Sequence, residues 1–337
     1  MKTLLVLGLT TVLVACGGNN GSGGEQAAAP PATPKPTFGT FGIDLSAMDT
    51  SVKPGDDFYR YVNGKWVSTF TMPADKARYG VFDALRDKSE ADVRTLLDEL
   101  AARPPAAGSV QKKVSDLYNS WMDEAAIEAR GIEPLRADLA AIAAARSKND
   151  IVTLMGNIDY AGPIGMYISP DPADTTRYVV NVTQGGLGMP VRDYYLNEGP
   201  KFDAYRSAYQ TYVAKILELV GDPNPAESAK AVVALETALA TVHWSPERQR
   251  DVQATNNPVD RAGLAAAIPA IDWDLFLRGS GLSNVQHFVI NETTALHDGA
   301  ALLDTQSVEA WKKYLAFHLA SDYASNLPKA FDDANFD

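Results

Sequence analysis

The chain has 337 residues, 46% of them hydrophobic and 21% charged, with a formal net charge of -12. That is enough apolar material for one large or two ordinary domains. The acidic balance excludes nucleic acid as a partner, because phosphate binding needs a Lys/Arg surplus. A single cysteine, Cys16, leaves no disulfide framework and no cysteine metal site.

Met1-Lys2 supplies a positive start, and Leu4 to Val14 is an apolar run too short to span a bilayer. It ends in Leu13-Val14-Ala15-Cys16, followed by Gly17, which resembles a bacterial lipobox. The expectation is a lipoprotein signal peptide over 1–15, with Cys16 lipidated as the mature N-terminus. Residues 16–40 are rich in Gly, Ala and Pro and cannot bury enough surface to offset their ordering entropy. They read as a tether to a membrane, which places the protein in a bacterial cell envelope, exported and facing the periplasm or the exterior.

From about Phe41 the pattern is mainly helical. Val93, Leu96, Leu97 and Leu100 share a helical face. So do Val110, Val114, Leu117, Tyr118, Trp121 and Met122, with Ser109 as N-cap and Pro104-Pro105 and Gly108 separating the two helices. Ala137 to Ala145 is a strong helix former, because Ala has no side-chain entropy to lose. Between Ile164 and Gln184 the composition shifts to Val, Ile and Tyr. Ile164–Ser169 and Arg177–Thr183 predict a β-hairpin whose longer loop holds Pro170, Pro172 and Asp174. Asn224-Pro225-Ala226-Glu227 opens a helix through Val232, Val233, Leu235 and Leu239, and another carries Val308, Trp311, Leu315 and Leu319. The fold class is mainly α with a small β-hairpin, in one compact domain or two interwoven ones.

Catalytic signatures are sparse. Of the four histidines, His243, His287, His297 and His318, no pair has the i, i+4 spacing of a helical zinc site. His243 and Glu247 are four apart, but Pro246 interrupts a helix there. His318 reads as a packed core residue. There is no Gly-x-Ser-x-Gly elbow. Gln184-Gly185-Gly186-Leu187-Gly188-Met189-Pro190 reads as a tight turn rather than a phosphate cradle, since Met-Pro follows instead of a helix. Asp56-Asp57 and Asp332-Asp333 read as solvated faces or caps. Arg78 and Arg86 are open between surface salt bridges and an anion clamp, because guanidinium forks match carboxylates.

Read in order, several segments resemble the neprilysin and endothelin-converting-enzyme family of zinc metallopeptidases. They are Lys53-Pro54-Gly55-Asp56-Asp57-Phe58-Tyr59-Arg60-Tyr61-Val62-Asn63-Gly64-Lys65-Trp66, then Arg78-Tyr79-Gly80-Val81-Phe82-Asp83 and Leu85-Arg86-Asp87. Leu187-Gly188-Met189-Pro190-Val191-Arg192-Asp193-Tyr194-Tyr195-Leu196 and Trp244-Ser245-Pro246-Glu247-Arg248 follow, with Trp311-Lys312-Lys313-Tyr314-Leu315 last. The resemblance covers about residues 42 to 337 and implies a neprilysin-like peptidase N-terminal domain over 41–337.

That resemblance implies the helical lid and linker part of a two-lobed metallopeptidase that encloses peptide substrates, with the catalytic lobe incomplete. It implies Arg78 as the ligand of a substrate's C-terminal carboxylate, with Arg86 assisting. The family's His-Glu-x-x-His motif lies downstream of Asp337, so this chain alone is expected to be inactive and to hold no cofactor, with zinc belonging to the complete family protein. A truncated chain and a naturally short paralogue both fit that end. The competing reading is a non-catalytic helical envelope lipoprotein that binds peptides or a protein partner.

Overall fold

The computed structural model describes residues 42–103 and 105–336. The signal peptide, Cys16 and the tether therefore lie outside the described residues. The chain divides into two compact units, one ending at Arg94 and the other starting at Thr95.

The first unit holds α1 (Phe58–Thr69) and the start of α2 (Val81–Ala102). Asp57 begins α1 by accepting from the Arg60 N–H at 2.9 Å, so one of the predicted acidic pairs is in part a cap. Gly64 lets α1 approach the preceding segment, where a Cβ would meet that of Asp49 at 2.6 Å. Trp66 stacks on Phe70 at 4.6 Å, and Phe70 on Tyr79 at 4.7 Å. No described residue of this unit is buried. Local caps and one aromatic stack hold it together.

The second unit opens with α3 (Val110–Met122), capped by Ser109 as the sequence implies. The apolar face of α3 is not a core face. Val110, Leu117 and Trp121 are exposed, whereas Ser115 is the buried side chain. Then come α4 (Glu124–Arg130), α5 (Arg136–Ala144) and α6 (Lys148–Met155). Ser147 and Asp150 close a reciprocal capping box on α6.

The hairpin forms as β1 (Ile164–Asp171) and β2 (Asp174–Gln184), but the strands run further than the sequence suggests. Only Pro172-Ala173 connects them. Asp171 closes this tight turn by accepting from the Ala173 N–H at 2.8 Å and from Arg177 Nε at 2.9 Å. After α7 (Asp193–Leu196), α8 (Pro200–Leu219), α9 (Pro225–Val242) and α10 (Pro246–Gln249) come β3 (Asn257–Asp260), α11 (Arg261–Ala267), α12 (Trp273–Gly279) and β4 (His287–Ile290). The chain continues through α13 (Thr293–Thr305), α14 (Val308–Asp322) and α15 (Lys329–Phe336).

The sheet order is β1-β2-β4-β3, with β4 parallel to β2 and antiparallel to β3. Val179 to Val182 of β2 are buried without alternation, the pattern of a strand covered on both faces. Trp311, Tyr314, Leu315 and Phe317 of α14 meet Leu235 and Leu239 of α9 and Ile216 and Leu217 of α8 in one core. At the start of α9, Asn224 makes no side-chain cap. Its carbonyl accepts from the Ser228 N–H, and Glu227 pairs with Lys230 instead of closing a capping box.

Two glycines press α6 against α12. A Cβ on Gly156 would collide with the Phe276 carbonyl, and one on Gly279 would lie 2.8 Å from the Gly156 carbonyl carbon. Gly156→Ala is expected to force these helices apart and cost about 1–3 kcal/mol. Urea titration should show a lower midpoint at unchanged slope. An unmoved midpoint would mean that the contact relaxes freely.

Candidate functional site

In the first unit, Arg78 precedes α2 and is exposed, with no ion-pair or hydrogen-bond partner among the described residues. Its nearest acidic neighbours in sequence are already engaged. Asp83 accepts from the Gly80 N–H at 2.9 Å and from Arg86 at 3.2 Å. Asp87 accepts from the Tyr79 hydroxyl at 2.9 Å and lies 3.6 Å from Lys76. Glu90 also approaches Arg86 at 4.0 Å. The two predicted arginines are therefore unlike. Arg78 offers a free guanidinium, while Arg86 braces the Arg78-Tyr79-Gly80 turn through Asp83.

In the second unit, β2 ends at Gln184, and the residues from Gly185 to Arg192 form no helix or strand and are held from several sides. Gly186 has φ +92°, which favours glycine. A Cβ there would also lie 2.6 Å from the Tyr314 hydroxyl, and one on Gly188 would collide with the Tyr209 hydroxyl. The Tyr314 hydroxyl donates to the Gly186 carbonyl at 2.9 Å. The Met189 N–H donates to the Tyr195 hydroxyl at 2.9 Å. Tyr195 in turn donates to Glu236 Oε2 at 2.6 Å.

Glu236 of α9 is completely buried. Its Oε1 also accepts from the Tyr209 hydroxyl at 2.9 Å and pairs with His318 Nε2 at 2.8 Å. Burial, reinforced by the Glu236 charge, raises the Tyr195 and Tyr209 phenols well above their ordinary range, so both act as donors. His318 is buried in the core, as its apolar helix face implies. The sequence reading missed its partner. The available signal was Glu236 beside Leu235 and Leu239 on an apolar stripe, where an unpaired Glu is rare.

A second set of bonds ties the segment to α10. Gln184 exchanges two hydrogen bonds with the Trp244 backbone, at 3.2 and 2.8 Å. The buried Glu292 accepts from the Thr183 hydroxyl, the Gln184 N–H and Gln249 Nε2, at 2.9, 2.9 and 3.0 Å. Arg248 lies 3.5 Å over the Trp244 ring.

His243 ends α9, separated from Glu247 by the Ser245 cap of α10. Its Nε2 lies 3.2 Å from the Gly185 carbonyl. A carbonyl only accepts, so Nε2 carries the proton. Burial lowers the His243 pKa to about 4; the Gly185 bond and the Glu292 charge oppose that shift, and the Arg192 charge adds to it. No group of three or more His, Cys, Asp or Glu side chains among the described residues is arranged to hold a metal ion. The zinc that the resemblance implies thus finds no ligand set among the described residues.

Comparison with known proteins bears on both places. The sequence model of Peptidase family M13 matches residues 54–337. Endothelin-converting enzyme 1 of Rattus norvegicus is 25% identical over 320 residues, which cover 86% of this chain and 40% of that protein. Membrane metallo-endopeptidase-like 1 of Homo sapiens is 28% identical over 321 residues, covering 86% and 41%. Among solved structures, the Mycobacterium tuberculosis zinc metalloprotease Zmp1 in complex with inhibitor superposes with a TM-score of 0.78 at 33% identity, over 88% of this chain and 46% of that one. PepO from Lactobacillus rhamnosis shares the fold, with a TM-score of 0.65 at 18% identity. The chain thus spans about two-fifths of the length of the curated relatives it matches.

Two outcomes follow from the buried groups. Glu236→Ala leaves two phenols and an imidazole without their acceptor, and is expected to cost about 3–5 kcal/mol in urea unfolding. Glu236→Gln, which keeps one acceptor oxygen, should cost less; equal losses would show that the carboxylate is not the anchor.

The second outcome concerns pH. The folded pKa of His243, about 4, lies below its unfolded value of 6.5. Between those values the unfolded chain binds the extra proton, so stability is full above the upper value and declines toward the lower one. The loss is on the order of 2–3 kcal/mol. His243→Gln should flatten the fall in melting temperature between about pH 7 and about pH 4. An unchanged slope would assign the acid loss to other groups.

Proposed function

We propose, since the chain belongs to peptidase family M13, that it forms the N-terminal, substrate-enclosing part of a zinc metalloendopeptidase and takes peptides as substrates. The observation that carries this reading is the family match over residues 54–337, with the motif arginines standing inside it. Arg78 is the group we assign to a substrate's C-terminal carboxylate. Its guanidinium has no carboxylate among the described residues to displace, and two parallel N–H groups fit such an anion. Arg86 assists by holding Asp83, which fixes the Gly80 N–H and so the backbone next to Arg78.

In this reading the zinc-bearing portion comes from outside the described residues, and the part played by these residues is binding and enclosure. The location belongs to the same proposal: Cys16 lipidated, and the folded part carried on the 16–40 tether in a bacterial envelope. Among the described residues no helix is long and apolar enough to cross a membrane. Attachment through Cys16 would rest on its lipid, and two acyl chains make such binding stable where one is marginal.

The test joins this chain to an M13 zinc-bearing portion and compares Arg78→Met with the parent on matched acid and amide peptides. A hydrogen bond to a charged group is worth about 1.5–3 kcal/mol, so kcat/KM should fall roughly ten- to a hundredfold on acid peptides cleaved near their C-terminus. Amidated peptides should be nearly unaffected. Equal losses on both, with a lowered melting temperature, would make Arg78 part of the scaffold.

A further inference from the structure

The Gln184–Arg192 segment and the start of α10 enclose a cavity of about 200 Å³, wholly within the second unit. Its polar walls divide into groups already satisfied and groups left open. The Gln184 amide is spent on the Trp244 backbone, and Gln249 Nε2 is spent on Glu292. Arg192 commits only Nε, which donates to the Ala240 carbonyl at 3.1 Å. Its two terminal nitrogens have no acceptor among the described residues, and no carboxylate pairs with it there. His243, only 7% exposed, commits Nε2 to the Gly185 carbonyl and leaves Nδ1 without a partner. The cavity therefore presents one fork of donors with a positive charge and, in the same lining, the His243 acceptor.

We propose that this pocket binds the C-terminal residue of a peptide, its carboxylate on the terminal nitrogens of Arg192 and its backbone N–H on Nδ1 of His243. A guanidinium whose Nε is fixed presents its other N–H groups side by side, the geometry that takes both oxygens of a carboxylate. A terminal residue carries its N–H one carbon from that carboxylate, and a neutral acceptor in the same pocket as the fork suits this spacing. The low pKa of His243 keeps it an acceptor at neutral pH. Leu187, Pro190 and Trp244 supply apolar wall for the residue's side chain. Glu292 does not compete for Arg192, since its two oxygens are engaged by three donors.

None of the residues of this site belongs to the unit that carries Arg78. It rests on the peptidase reading only in taking a peptide as the ligand. Its test involves no hydrolysis, so the two can fail independently.

The experiment titrates the purified chain with N-acetyl-leucine, N-acetyl-leucine amide and N-acetyl-aspartic acid α-amide, followed by calorimetry and by the ring resonances of the histidines. N-acetyl-leucine should bind saturably and shift His243 but not the exposed His297. Its amide should bind at least roughly tenfold more weakly, the value of one charge-assisted hydrogen bond. Arg192→Gln should reduce the acid to the level of the amide, with circular dichroism confirming the fold. Arg192→Lys, which keeps the charge without the fork, should fall between. Equal binding of acid and amide, tighter binding of the aspartic acid derivative, or wild-type affinity in both variants would overturn the proposal. Should neither variant fold, the native chain decides, and an unmoved His243 resonance on addition of N-acetyl-leucine rejects the site.

Discussion

A carboxylate cut off from water must find its hydrogen bonds inside the protein, and that of Glu236 finds three. Each partner comes from a different helix: Tyr195 from α7, Tyr209 from α8 and His318 from α14. The pairing fixes how those helices meet α9 around one point. It also reaches outward, because the Tyr195 hydroxyl that donates to Glu236 accepts from the Met189 N–H. A segment without secondary structure is thereby anchored to the most buried charge of the unit. Raised phenol pKa values keep both tyrosines protonated as donors near neutrality.

In a chain with 42 acidic and 30 basic side chains, an arginine without a carboxylate is set apart from the acids around it. Arg78 and Arg192 are two such arginines, kept from carboxylates by different means. Around Arg78, Asp83 is occupied by Gly80 and Arg86, and Asp87 by Tyr79 and Lys76. At Arg192, a backbone carbonyl takes one nitrogen and orients the remainder toward a cavity. By contrast, Arg177 pairs with Asp171 at 2.8 Å, and Arg206 with Asp203. Pairing within the chain uses up a guanidinium's capacity for anions. Freedom from pairing is what makes these two available.

Local signals in the sequence identified the elements they control. Ser109 capped the helix it was expected to cap, the Ala-rich stretch became α5, and the Val, Ile and Tyr runs became β1 and β2. What stayed hidden was non-local. β3 and β4 are four residues each, too short for periodicity to register, and they exist because β4 pairs with Val180 to Val182. The hairpin turn is tighter than its prolines suggest because Asp171 and Arg177 close it. The site divides the same way. The Arg78 and Arg86 motifs were visible as strings, but the difference between a free and a braced arginine lies in who holds Asp83. His243 showed no sequence feature pointing to Gly185, which is 58 residues away.

Burial is distributed unevenly along the chain, and this bears on how Arg78 is held. The core lies between Leu135 and Phe331, whereas the amphipathic faces before it stay in water, with Leu117 73% and Phe82 83% exposed. At about 25 cal/mol per Å² of apolar surface, side chains left so exposed contribute little to folding. The turn that carries Arg78 is therefore positioned by caps, a braced aspartate and the stacking of Tyr79 on Phe70, rather than by a packed interior. Such regions open locally at lower cost than cores do. Exposed apolar helix faces are the kind that proteins use against other protein surface. In the reading proposed above, that surface is the remaining portion of an M13 peptidase.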